Sequence, residues 1–318
     1  MKKNWFLIVS MCFVLCFLGS CTKKQEAQPE HKQIIIAVIP KVDNAIFDQV
    51  KQSAMQAASE LGITLTWEAP TSVDGKKQRE LIENLIHYQV DGILISSNDA
   101  EMLIEPINKA MKAGIKVATF DSDAPKSDRI FYVGTNNKKA GVVCAETMLR
   151  LYEKENKQPN EILLLSGGMT ANNMVERISG FRSVMNNKAK IQIHNSFEMP
   201  DYGKEILHNN LTENSKINGV QLMWGVPVLN GVDSVPALDK FLSKHGVAVF
   251  FDVSKPLLQY IKTHPNTATI KQDFYAMGYN GVKNLYNAII GENYKIELLY
   301  DVKVIDNKNV DEVLKEFE

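Results

Sequence analysis

Residues 34–39 read Ile-Ile-Ile-Ala-Val-Ile, and after Pro40 comes Lys41-Val42-Asp43-Asn44-Ala45-Ile46-Phe47. An apolar run of this length without alternation fits a strand buried on both faces, the habit of parallel sheets covered by helices. Beyond it the apolar spacing changes to threes and fours, through Phe47, Val50, Ala54, Ala57, Ala58 and Leu61. That is the single stripe of a helix laid on a sheet. The alternation recurs, with apolar runs at 92–95, 116–120, 162–165 and 247–251, and Gly62, Gly92 and Gly114 punctuate the returns from helix to strand. The pattern is doubly wound α/β with parallel sheets. Roughly ten strand–helix units exceed one open sheet of usual size, so two lobes are expected.

Upstream, Lys2 and Lys3 precede an apolar run from Trp5 to Leu18 that ends in Leu18-Gly19-Ser20-Cys21. A charged start, a short apolar centre and small residues before the cut mark a secretory signal, too short to span a bilayer comfortably. The Cys after Leu-Gly-Ser resembles the bacterial lipobox, in which the thiol is acylated and becomes the new N-terminus. Cys16 suits that role less well, because bulky Leu15 precedes it. A membrane anchor or an ordinary secretory signal are the plainer alternatives. The expectation is a lipoprotein signal peptide over 1–20, lipidation (palmitate) at Cys21, a polar tether over 21–32 and a body facing the periplasm or cell exterior. Cys144 then remains alone, without a disulfide partner, on an apolar helical face with Ala140, Val143, Thr147 and Met148.

Without Lys2 and Lys3 the 36 basic residues fall to 34 against 37 acids, a net charge of −3 with no basic block. Nucleic acid is therefore excluded as a partner. No Gly-x-Ser-x-Gly, phosphate loop or His-Glu-x-x-His occurs, and the six His, at 31, 87, 194, 208, 245 and 264, lack metal-ligand spacing. A non-enzymatic protein without cofactor or metal is expected.

In doubly wound sheets ligands bind beyond the carboxyl ends of the strands. Those ends carry Asp43, Asn44 and Phe47; Ser96 to Asp99; Asp121 and Ser122; Thr135 and Asn136; Gly167 and Gly168 leading to Asn172, Asn173 and Arg177; Trp224; Asp252; and Gln272. Asp, Asn, Arg and Gln offer donors and acceptors, while an aromatic face covers the C–H side of a sugar ring. Taken singly, Asp121 and Asp252 also suit turns, Arg177 also suits a surface pair with Glu176, and Phe47 and Trp224 also suit the core. Their joint placement points to polyol recognition.

These segments resemble the ribose-binding-protein-like branch of the type I periplasmic binding proteins, related to lac-repressor-type sensor domains, from Ile34 to about Ile305. The carrying stretches are 43–47, 90–96, 115–121, Val133-Gly134-Thr135-Asn136, Glu176-Arg177-Ile178-Ser179-Gly180-Phe181 and Ala268-Thr269-Ile270-Lys271-Gln272. The resemblance implies two Rossmann-like lobes, 34–135 plus 273–302 and 136–272 plus 303–318, closing on one small sugar. It places the crossings near Thr135, near Asp252 and Gln272, and near Lys303. By the same likeness Asn44 and Phe47 contact the ring, Asp121 and Asp252 accept from hydroxyls, Arg177 donates, and Gln272 bridges at the hinge. Ile46 replaces a second aromatic. Thr135 joins this candidate set, and Tyr202 or Phe197 supplies another wall.

Two departures stand out. The ribose-like pattern has Asp-Arg where this chain has Asp121-Ser122, which removes a cationic fork, and Asn-Asp where it has Gly225-Val226. A buried polar group left unpaired costs about 1–3 kcal/mol, so ligand choice should differ. The expected function is a monomeric, lipid-anchored solute-binding protein that delivers a sugar or similar polar solute to an ABC permease for carbohydrate transport. The alternative is a ligand-sensing lipoprotein that docks on a membrane histidine kinase or chemoreceptor.

Overall fold

The computed structural model of the chain describes residues 33–317, so the signal peptide, Cys21 and the whole tether lie outside the described residues. Within them, twelve strands form two six-stranded sheets. The first contains β1 (Ile35–Ile39), β2 (Thr64–Trp67), β3 (Gly92–Ile95), β4 (Lys116–Phe120), β5 (Tyr132–Thr135) and, at its edge, β11 (Glu297–Tyr300). The second contains β6 (Glu161–Ser166), β7 (Lys190–Asn195), β8 (Ile217–Leu222), β9 (Val247–Phe251), β10 (Thr267–Lys271) and β12 (Lys303–Ile305). Their orders, β11-β5-β4-β3-β1-β2 and β12-β10-β9-β8-β6-β7, match position for position. Only the edge breaks the match: β11 is parallel to β5, whereas β12 is antiparallel to β10. Two residues, Asp301 and Val302, separate β11 from β12, so one extended segment serves both sheets and meets the second in the opposite sense.

The central strands are buried on both faces. Every residue of β3, β6 and β9 is buried, and β1 is buried from Ile36 onward, whereas the edge strands β2 and β7 are only partly covered. Each fully buried aliphatic side chain contributes about 1.5–3 kcal/mol to holding a sheet and its helices together. Helix α1 (Asp48–Leu61) turns Val50, Ala54, Ala57 and Ala58 to the core and ends at Gly62 in the left-handed region, φ 66°. Gly92 instead opens β3, packed against Leu285 and Ile289.

The remaining helices among the described residues are α2 (Gly75–His87), α3 (Ile104–Lys112), α4 (Asn137–Lys154), α5 (Asn172–Met185), α6 (Pro200–Glu213), α7 (Pro236–Ser243), α8 (Lys255–Thr263), α9 (Phe274–Ile290) and α10 (Val310–Leu314). Helices α4 and α5 pack backbone to backbone. A β-carbon at Gly141 would overlap the carbonyl of Arg177, and one at Gly180 the carbonyl of Lys138. Cys144 lies fully buried on the inner face of α4, and burial pushes its thiol up to about 12, so it is an inert core residue.

The chain crosses between the sheets three times. It crosses at Asn136 between β5 and α4, at Gln272-Asp273 between β10 and α9, and at Asp301-Val302. Helix α4 packs on β9 and β10, and α9 returns to β3, β4 and β5. The expectation of a crossing near Asp252 is corrected: that residue links β9 to α8, and both stay with the second sheet. Asp252 meets the hinge through a side-chain bond to Gln272.

Candidate functional site

The carboxyl ends of both sheets border a cavity of about 580 Å³. Two aspartates mark matching points on its walls. Asp121 follows β4 and Asp252 follows β9, each is 4% exposed, and both are left-handed, with φ 55° and 67°. Each amide donates to the neighbouring strand, Asp121 to Val133 O at 3.0 Å and Asp252 to Ile270 O at 2.8 Å. Aspartate tolerates this conformation better than most residues. The turn reading holds, and the turn brings each carboxylate to the cavity wall.

The Asp121 carboxylate accepts from Ser96 Oγ at 2.7 Å and from Asn173 Nδ2, on the second lobe's α5, at 3.3 Å. Asp252 Oδ1 accepts from Gln272 Nε2 at 2.7 Å. Burial pushes the Asp252 carboxyl up to about 6; the charge of Asp121 adds to this, while Arg177 and the bonds from Gln272 and the Gly225 backbone oppose it.

Arg177 is 2% exposed and is no surface residue. The close approach of α4 and α5 sets it beside Asn137, whose Oδ1 accepts from Nε at 2.8 Å. Nη1 donates to Met223 O at 3.1 Å and Nη2 to Gln272 Oε1 at 2.8 Å, while the guanidinium lies 3.8 Å from the centre of the Phe251 ring. A guanidinium has five N–H groups. These bonds orient it and leave two N–H groups unengaged among the described residues.

Asn44, Phe47, Tyr202 and Trp224 also line the cavity. Asn44 Oδ1 caps the turn at Ile46 N, 3.1 Å away, which leaves its amide hydrogens unengaged among the described residues. Phe47 meets Phe120 and Phe274 edge-on, so it is both core and wall. Trp224, two residues beyond β8, is 7% exposed and sits against Gly167, where a β-carbon would come within 2.8 Å of its ring. Thr135 does not line the cavity; its hydroxyl donates to Gln272 Oε1 at 2.8 Å, one layer behind.

At the two departures, Ser122 is fully buried outside the cavity, and Gly225 lies so close to Phe251 O that a β-carbon would overlap it. The cation on the first wall is Lys41, which sequence reasoning passed over. It is 6% exposed, 3.4 Å from Asn173 Oδ1 and 3.7 Å from Glu198 Oε1. A lysine just past a strand reads as solvated; in the fold Asn173 and Glu198 approach it from the other lobe. Among the described residues no His, Cys, Asp and Glu cluster could hold a metal ion.

A two-lobed α/β clamp with polar side chains converging on an interlobe cavity defines a type I periplasmic binding protein. The chain belongs to the periplasmic binding protein domain family, whose profile matches residues 35–293. Among curated relatives, the ribose import binding protein RbsB of Bacillus subtilis is 24% identical over 278 residues, 86% of this chain and 88% of that protein. Among solved structures, an ABC transporter solute-binding protein from Burkholderia graminis in complex with D-arabinose is 29% identical. It has a TM-score of 0.80, covering 89% of this chain and 98% of that one. A chain of the XylFII-LytSN complex is 28% identical with a TM-score of 0.77, over 87% and 98%. The first two of these are solute-binding proteins, not enzymes, in keeping with the missing catalytic motifs. The family implies an extracytoplasmic location. No helix among the described residues is long and apolar enough to cross a membrane.

Proposed function

We propose that the chain is a lipid-anchored extracytoplasmic binding protein that captures a sugar or similar small polyol between its lobes for ABC import. One observation carries the reading: carboxylates at matching points of the two sheets, Asp121 and Asp252, share a cavity with a buried, pre-oriented Arg177. Such groups suit the alternating donor and acceptor hydroxyls of a sugar, and Phe47 and Trp224 suit its C–H faces. The ribose- and arabinose-binding relatives support the same class of ligand. In this reading the moving bodies are 34–135 plus 273–302 and 136–272 plus 303–318, and Cys21 carries the lipid.

Thermal-shift screening against pentoses, hexoses and polyols tests it. A ligand at a thousand times its Kd stabilises by about 4 kcal/mol, so a binder is readily seen. Failure of every sugar to shift the midpoint would end the sugar-binding reading.

The second reading, a sensor that docks on a membrane partner, is favoured by one observation: a structural relative at 28% identity is a chain of a two-protein complex, XylFII with LytSN. Neighbouring genes separate the two, a permease and ATPase favouring import and a sensor kinase favouring signalling.

A further inference from the structure

The cavity has two chemically different ends, and we infer that it holds a two-ring ligand, one sugar unit on the buried floor joined by a glycosidic bond to a second sugar unit against the outer wall. This rests on the sugar-binding reading above and names the ligand class more narrowly. The floor consists of Asp121, Arg177, Asp252 and Gln272, none more than 4% exposed. Hydrogen bonds link Arg177, Gln272 and Asp252 to one another and to Thr135 at the hinge, while Ser96 and Asn173 hold Asp121, which makes the floor a pre-oriented cradle for one ring.

The outer wall is different in kind. It comes from the connection between β7 and α6 and from the first turn of α6, where Phe197 and Tyr202 are 64% and 40% exposed yet both line the cavity. Their rings stack, with centroids 6.4 Å apart and planes at 21°. A solvent-facing aromatic pair on a cavity wall offers a surface for the C–H face of a ring, and a single sugar seated on the floor leaves it wet. Beside the pair, Lys41 and Glu198 supply polar capacity. The ammonium has three N–H groups, yet among the described residues its contacts are one 3.4 Å hydrogen bond to Asn173 and an ion pair at 3.7 Å to Glu198. A hydroxyl can donate to that carboxylate and accept from that ammonium, which favours a second sugar over a flat heterocycle.

The segment is held in a costly shape. Phe197 and Glu198 are successive non-glycine residues in the left-handed region, φ 54° and 58°. The Glu198 amide donates to Gly167 O and the Phe197 amide to Asn195 Oδ1, while a β-carbon at Gly167 would come within 2.9 Å of Glu198 Oε2. Strain retained where the side chains face a cavity is the mark of a placed wall. Size agrees: 580 Å³ holds on the order of twenty waters at about 30 Å³ each, whereas a pentose has roughly ten non-hydrogen atoms.

Isothermal calorimetry on the full chain tests this with matched probes: D-xylose against xylobiose, D-arabinose against arabinobiose, D-glucose against cellobiose and maltose, and uridine and adenosine. The expected result is one disaccharide binding at least about tenfold tighter than its own monosaccharide. Phe197→Ala, at an exposed position, and Glu198→Gln should each weaken the disaccharide by a larger factor than the monosaccharide and so shrink that advantage, and equal losses for both ligands overturn the outer subsite. Arg177→Ala should weaken both. Monosaccharide binding equal to or tighter than that of every disaccharide overturns the two-ring ligand and leaves the sugar-binding reading standing. A nucleoside binding tighter than every disaccharide overturns the second sugar. Absence of binding by all probes overturns both readings together.

Discussion

Thr135 and Gln272 stand at equivalent ends of β5 and β10, and the Thr135 hydroxyl donates to Gln272 Oε1 at 2.8 Å. The equivalence follows from the aspartate turns, since Asp121 N–H meets Val133 O and Asp252 N–H meets Ile270 O, each two residues earlier. The bond ties two of the three interlobe crossings. The same Oε1 accepts from Arg177, so one oxygen serves both the hinge and the cavity floor.

Gln272→Ala should therefore act on stability and on binding together. It leaves the Thr135 hydroxyl, one guanidinium N–H and the Asp252 carboxylate short of a partner, at about 1–3 kcal/mol for a buried group left unpaired. Urea unfolding should show that loss, and calorimetry at least about a tenfold weaker sugar affinity.

Arg177→Lys keeps the charge and loses the fork. Lysine cannot donate at once to Asn137, Met223 O and Gln272, nor stack flat on Phe251 as a guanidinium does. Sugar affinity is expected to fall at least about tenfold, and the ligand-free melting temperature to fall as well, because Arg177 is built into the second lobe. An unchanged apo melting temperature would show that the guanidinium is reserved for the ligand.

Asp252 makes stability and binding respond to pH in opposite senses. Its folded-state value of about 6 lies above the ordinary carboxyl value of 3.8, so the folded chain binds the proton more tightly than the unfolded chain does. Its contribution to stability is present below pH 3.8 and is lost as pH rises through about 6. Urea midpoints of wild type should fall over that window relative to those of Asp252→Asn. Sugar affinity should run the other way, weakening as pH drops below about 6, because the ionised carboxylate is the better acceptor.

Gly180→Ala tests what positions the site. The added methyl would overlap Lys138 O across the α4–α5 contact, and overpacking of this kind costs about 1–3 kcal/mol or more. The urea midpoint should fall, and sugar affinity with it, since the same contact sets Arg177 against Asn137. Gly62→Ala, far from the cavity with open space around its Cβ, should lose stability through its positive φ alone and keep its affinity.

Cys21→Ser should leave an unacylated product that partitions into the aqueous phase on detergent extraction, whereas wild type partitions with detergent and carries acyl chains by mass spectrometry. Wild type in the aqueous phase without an acyl chain would remove the lipid anchor.

By itself the sequence determined the two-sheet α/β architecture, because a strand buried on both faces and a one-sided helix each leave a local periodic signature, as in Ile34–Ile39 and the stripe from Phe47 to Leu61. It also pointed to Asp121, Arg177, Asp252 and Gln272, since strand ends are local features and these residue types are conspicuous there. Only the tertiary structure decided that Thr135 stands behind Gln272, that Asp252 is off the crossing, and that Lys41 and Glu198 face one another. Lys41 and Glu198 are 157 positions apart and lie 3.7 Å from each other across two lobes. Whether such side chains are solvated or buried depends on how the two sheets approach, a long-range property that no local pattern of residues encodes.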